Sequence, residues 1–63
     1  MKMQKAIKYY GSQTAVAAEL GLTRAAVSKW KDAPHYGLVP LRNALRLSRA
    51  TDGRLEVGLG DYK

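Results

Sequence analysis

The sequence of 63 residues contains no cysteine and no phenylalanine, and it has one histidine and two prolines. Without cysteine, neither disulfide bonds nor cysteine-ligated zinc can stabilise the fold. The five carboxylates are scattered along the chain without a paired arrangement, and no glycine-rich phosphate loop is present. These absences argue against an enzyme, against a metal site and against a bound cofactor.

Long hydrophobic runs are also lacking. The first eight residues alternate charged with apolar side chains, so we expect neither a signal peptide nor a membrane span, and a cytoplasmic protein. Acidic residues are few: eleven Lys and Arg against five Asp and Glu give a net charge of +6, which suits a polyanionic partner. A chain of this length forms one domain, residues 1–63, and self-association would add to its small core.

Residues 13–30 read as two short helices joined by a glycine turn. Ala17 is small where the two helices would cross, and Ser12 and Thr23 are suitable N-caps. The residues that define this motif are Val16, Ala17, Leu20, Gly21, Val27 and Trp30. The pattern is typical of a helix-turn-helix and predicts binding to double-stranded DNA.

In such a motif the second helix enters the major groove, and its exposed face contacts the bases. The predicted base-reading residues are Arg24, Ala25, Ser28 and Lys29. Arg24 carries the sharpest expectation, because a guanidinium can donate two hydrogen bonds to guanine. The predicted phosphate-binding residues are Gln13, Thr14 and Lys31. The first two stand where free backbone N–H groups and the helix dipole favour an anion.

Helical spacing predicts a further helix at each side of the motif. One covers Met3–Tyr10, and Lys2, Lys5 and Lys8 fall together on one side, taken as a solvated face with phosphate contact as the alternative. Another begins at Pro40 and ends near Ala50 or Thr51, after a loop at residues 32–38 in which Tyr36 either bonds a phosphate or packs on the core. Its predicted core stripe is Leu41, Ala44, Leu45 and Ser48, and its arginines are Arg42, Arg46 and Arg49.

The tail, residues 54–63, alternates apolar residues as in a strand, but its glycines weaken regular structure. We therefore predict a mostly α domain, a small helix-turn-helix of four to five helices with an extended or irregular tail. A mixed α+β fold with a C-terminal hairpin or strand is the alternative.

The motif and the Val39-Pro40 start of the last helix resemble the Cro family of bacteriophage repressors. The link from Trp30 to Pro40 is longer than we expect for that family, which leaves the orientation of the C-terminal part open. The resemblance implies a phage or prophage regulator in a bacterial host, acting as a homodimer on a near-palindromic operator, with the strength of that dimer open. A helix-turn-helix module that binds another protein, as an antitoxin does, is the rival interpretation.

Overall fold

Four α-helices form most of the regular structure in the computed structural model, which describes residues 1–62. They are α1 (Met3–Tyr10), α2 (Gln13–Leu20), α3 (Arg24–Ser28) and α4 (Leu41–Ala50). Two 3-10 turns follow α3 and close the tail, at Lys29–Lys31 and Leu59–Tyr62. The predicted mostly α class is confirmed. Within this part of the chain no helix is long and apolar enough to cross a membrane.

The helix ends follow local sequence rules. The Ser12 hydroxyl accepts a hydrogen bond from the Ala15 amide at 3.1 Å, and the Thr23 hydroxyl accepts one from Ala26 at 3.1 Å. Each bond satisfies an amide that the first turn of a helix would leave unpaired. Gly21 ends α2 at a φ of 68°, in the left-handed region that favours glycine. The predicted cap residues therefore act as caps.

The core lies where α1, α2 and α4 meet around the motif. Its buried apolar side chains are Met1, Met3, Ala6, Val16, Ala17, Leu20, Val27, Trp30, Val39, Ala44, Leu47 and Leu55. A hydrogen bond from the Tyr10 hydroxyl to Glu19, at 3.2 Å, also joins α1 to α2. Partial burial, together with this bond and the negative charge of Glu19, raises the pKa of Tyr10 to about 12.

The long link after the motif folds back onto the start of the chain. Residues 32–37 form turns, and Leu38 makes an isolated antiparallel bridge with Lys2. The Met3 amide donates to the Gly37 carbonyl at 2.9 Å, and the Val39 amide donates to the Met1 carbonyl at 2.8 Å. The link is thereby attached to the first three residues of the chain.

The tail is neither a strand nor fully irregular. Leu55 is buried, whereas Leu59 is exposed in the final 3-10 turn, so the alternating pattern did not predict which side chains face the core. No β-hairpin forms within residues 1–62. The β structure described there is the isolated bridge between Lys2 and Leu38. Lys63, the last residue of the predicted tail, lies outside the described residues.

The two ends of the described chain meet at the Met1 ammonium group. This group donates to the Val57 carbonyl oxygen and to the Tyr62 hydroxyl, and it lies 3.3 Å from the Asp61 carboxylate. The Tyr62 hydroxyl in turn donates to the Val39 carbonyl oxygen. Burial, and then the negative charge of Asp61, raise the pKa of Tyr62. The tail is thereby tied to the core through polar contacts.

The predicted core stripe of α4 is wrong at its two leucines. Leu41 and Leu45 are exposed, and Leu45 keeps 50% of its surface accessible. The buried positions are Ala44, Leu47 and Thr51, which share the helix face next to the predicted one. A buried threonine at the end of the helix made this face look less apolar than its neighbour.

The Thr51 hydroxyl donates to the Leu47 carbonyl at 2.9 Å and accepts from the Leu55 amide at 3.0 Å. Thr51→Val keeps the shape but leaves the buried Leu55 amide without a partner, so we expect a loss of about 1–3 kcal/mol in the free energy of unfolding. Urea denaturation of Thr51→Val and of the wild type measures this loss. Thr51→Ser, which keeps the hydroxyl, is the control; equal stability of the two variants would contradict this role.

Candidate nucleic-acid interface

The turn between α2 and α3 sets the angle between these two helices. After Gly21 the Leu22 amide donates back to the Ala17 carbonyl at 2.8 Å, and the Thr23 cap then starts α3. The side chains of the motif core all lie inside: Val16, Ala17, Leu20, Val27 and Trp30 are buried. Ala17 is 3% exposed, so the contact between the two helices leaves little room for a larger side chain at this position.

The predicted base-reading residues do not share one environment. Arg24 and Ala25 are exposed in the first turn of α3, whereas Val27, later in the same helix, is buried. Ser28 is half-buried, and it is the last residue of α3. Lys29 is exposed but lies in the 3-10 turn that follows. The predicted second helix of the motif extends to Trp30, because no residue in the chain marks this change of helix type.

The predicted phosphate-binding residues lie at two neighbouring places. Gln13 is half-buried and Thr14 exposed in the first turn of α2, and Lys31 is exposed at the end of the 3-10 turn. The structure brings Gln13 and Lys31 to the wall of one cleft, although they lie in different elements. Thr14 does not line this cleft. Lys2 and Tyr36 do line it, two residues for which the sequence leaves phosphate contact as one of two alternatives.

The charge of this region is of one sign. Residues 20–31 contain Arg24, Lys29 and Lys31 and no carboxylate. Two of the acidic side chains are engaged elsewhere, since Glu19 accepts from Tyr10 and Asp61 pairs with the Met1 ammonium. The exposed Asp32 follows directly after Lys31, so the surface keeps a positive balance, which attracts a polyanion such as a nucleic acid.

The described residues offer no alternative site built from metal ligands. Among residues 1–62 there is no group of three His, Cys, Asp or Glu side chains able to hold a metal ion. His35, the single histidine, is half-buried in the link between the motif and α4. The motif and its basic surroundings are therefore the arrangement whose chemistry points to a partner.

Comparison with known proteins gives the family. A family model described as DNA-binding transcriptional regulator Cro, for phage P22 Cro, matches residues 2–63. The chain is 36% identical over 63 residues to "Regulatory protein cro" of Salmonella phage P22, an alignment that covers 100% of this chain and 95% of that relative. No solved structure matches the chain. With a basic helix-turn-helix and a family match over nearly its whole length, the chain belongs to the Cro family of DNA-binding transcriptional regulators.

Proposed function

We propose that this protein represses transcription by binding an operator as a homodimer, with α3 of each copy in the major groove. The observation that carries the proposal is the exposure of Arg24 and Ala25 in the first turn of α3. Val27, later in α3, and Trp30, in the 3-10 turn that follows, are buried. A capped, rigidly backed helix end is the part of a helix-turn-helix that reaches base edges. A repressor would act by occupying DNA that the polymerase needs.

The proposed base contacts follow from side-chain chemistry. The Arg24 guanidinium matches the O6 and N7 acceptors of guanine, and the Ala25 methyl group suits the methyl group of thymine. Ser28 and Lys29 lie further along, where the half-buried serine has less reach than the exposed lysine. We therefore assign most of the discrimination between bases to the first turn of α3.

The proposed backbone contacts lie beside the reading helix. The backbone amides of Gln13 and Thr14 lie at the N-terminal end of α2. This end is the positive end of the helix dipole, and it favours a phosphate. Lys31 supplies a charge just past the reading helix. Such contacts fix the position of a protein on the duplex and do not themselves distinguish sequences.

The dimer is proposed because one reading helix of five residues reaches few bases. Two-fold symmetry places the second reading helix about 34 Å away, in the next major groove. On α4, Leu41 and Leu45 are exposed apolar side chains one turn apart, and neither belongs to the proposed DNA contacts. We assign this pair to contact with the second copy.

The experiment is selection of bound duplexes from a random pool, followed by titration of the selected duplex against a scrambled one at physiological salt. We expect an inverted repeat with half-sites about 34 Å apart and a preference of at least about a thousandfold over the scramble. Selection of a single half-site would contradict the dimer. Equal binding of both duplexes, reversed by salt, would contradict sequence-specific regulation and favour a module that recognises another protein.

We further assign the protein to the cytoplasm of a bacterial host, since that is where phage operator DNA is transcribed. We assign it no catalytic activity: the exposed groups of the motif are hydrogen-bond donors and cations that suit DNA, and they form no acid–base pair.

A further inference from the structure

A cleft of about 500 Å³ lies beside the helix-turn-helix, between the start of α1, the first turn of α2 and the turn at residues 36–38. Ile7 and Leu38 form part of an apolar floor. Lys2, Gln13, Lys31 and Tyr36 supply polar groups at its edge, and the described residues that line it include no carboxylate. The cleft therefore presents hydrogen-bond donors and two cations around an apolar surface.

The backbone holds Lys2 beside this cleft. The bridge between Lys2 and Leu38, with the Met3 amide donating to Gly37, fixes the strand-like segment from which the lysine side chain extends. Lys2 is exposed, and although it precedes α1 its side chain makes no capping bond. Its charge is free to bind an anion, and removing it should leave the fold intact.

Tyr36 completes the edge of the cleft. It is 76% exposed, with a φ of 48° in the left-handed region that a tyrosine rarely adopts. The turn enforces this conformation, because the Tyr36 amide donates to the Asp32 carbonyl at 2.9 Å and the next amide, of Gly37, donates to Trp30 at 2.6 Å. A tyrosine held in this way offers a hydroxyl donor and a ring face to a partner.

We propose that this cleft binds one sugar-phosphate unit of the operator backbone, outside the base pairs that α3 reads. Lys2 and Lys31 pair with the phosphate, the Gln13 and Tyr36 side chains donate to its oxygens, and Ile7 and Leu38 contact the deoxyribose. The inference rests on the proposed function, because Gln13 and Lys31 make the cleft continuous with the proposed DNA interface. It adds Lys2 and Tyr36 to the contacts that position the protein.

The first test compares Lys2→Gln with Lys5→Gln. Both remove one charge from exposed positions at the start of the chain, but only Lys2 lines the cleft. Affinity for the selected duplex is measured across a series of salt concentrations. We expect Lys2→Gln to reduce the slope of log affinity against log salt by about one, and Lys5→Gln to change it much less. Equal slopes for the two variants would overturn the proposal.

The second test replaces single phosphates of the selected duplex by uncharged methylphosphonates. We expect one position per half-site, flanking the bases read by α3, at which the methylphosphonate weakens binding of Lys2→Gln less than it weakens binding of the wild type, because one of the two charges facing that phosphate is already gone. Independent, additive losses at every position would overturn the cleft contact. Failure of the proposed function is a different result, namely no preference of the wild type for the selected duplex; the comparison of Lys2 with Lys5 can still be made on any duplex.

Discussion

Leu47→Ala is expected to destabilise the protein by about 2–5 kcal/mol, because it removes a fully buried side chain from a packed core. Leu47 is 0% exposed on the inner face of α4. At about 0.05–0.15 kcal/mol per residue, a chain of 63 residues has a free energy of unfolding of roughly 3–9 kcal/mol. This one substitution therefore removes a large share of the stability, and the thermal midpoint of the variant should fall well below that of the wild type.

The matched control is Leu45→Ala, two residues earlier on the same helix. Leu45 is half exposed, so the same chemical change removes little packing, and alanine is at least as good a helix former as leucine. Urea denaturation of both variants, followed by circular dichroism at protein concentrations low enough to keep the chain monomeric, gives the two free energies without the proposed dimer contact of Leu45. We expect a small change for Leu45→Ala, within about 0.5–1 kcal/mol. If Leu45→Ala and Leu47→Ala lowered the free energy of unfolding by the same amount, the assignment of Leu47 to the buried face of α4 would be wrong.

The same two leucines show why helical spacing predicted the wrong face of α4 as buried. Leu41, Ala44, Leu45 and Ser48 satisfy helical spacing, and so do Ala44, Leu47 and Thr51. The buried face ends in the Thr51 hydroxyl, which donates to a carbonyl of its own helix and accepts from the Leu55 amide. No periodicity rule anticipates that a threonine is buried because a later residue donates to it.

Other elements were predictable because their causes are local. The bounds of α1, the Ser12 and Thr23 caps and the glycine at the end of α2 all depend on residues within one helical turn of each other. The end of α3 and the pairing of Lys2 with Leu38 depend on packing and on contacts distant in sequence. The position of Lys2 beside the cleft therefore could not be predicted, since helical spacing grouped that lysine with Lys5 and Lys8.

Arg24→Ala is expected to have the largest effect on recognition. A bidentate contact to guanine contributes about 1–3 kcal/mol of discrimination, which is a factor of roughly 5–150 for each half-site. In a two-fold complex both half-sites lose the contact, so the two losses add when the sites are independent. Arg24 is exposed and is the first residue of α3, so its removal should leave the fold unchanged. Repeating the duplex selection with the variant shows which base pair loses its preference.

The control for Arg24→Ala is Arg42→Ala, an exposed arginine on α4 that is outside the motif. It removes the same charge, so it should weaken binding to selected and scrambled duplexes by similar factors and leave the base preference unchanged. If Arg24→Ala behaved in the same way as Arg42→Ala, Arg24 would be a phosphate contact, and base reading would have to be assigned to other residues of α3.

The contacts of the Met1 ammonium group join residues 56 to 61 positions apart in the chain. Closing so long a loop costs conformational entropy, and the cost is recovered only when the residues between are already folded. The final turn thus cannot stabilise a partly folded chain, and once that turn opens the Met1 ammonium group loses its partners, leaving the first residues held by their backbone bonds to residues 37–39. Both ends of the molecule should therefore fray as a single unit, so that exchange of amide hydrogens near Met3 reports on the state of Tyr62.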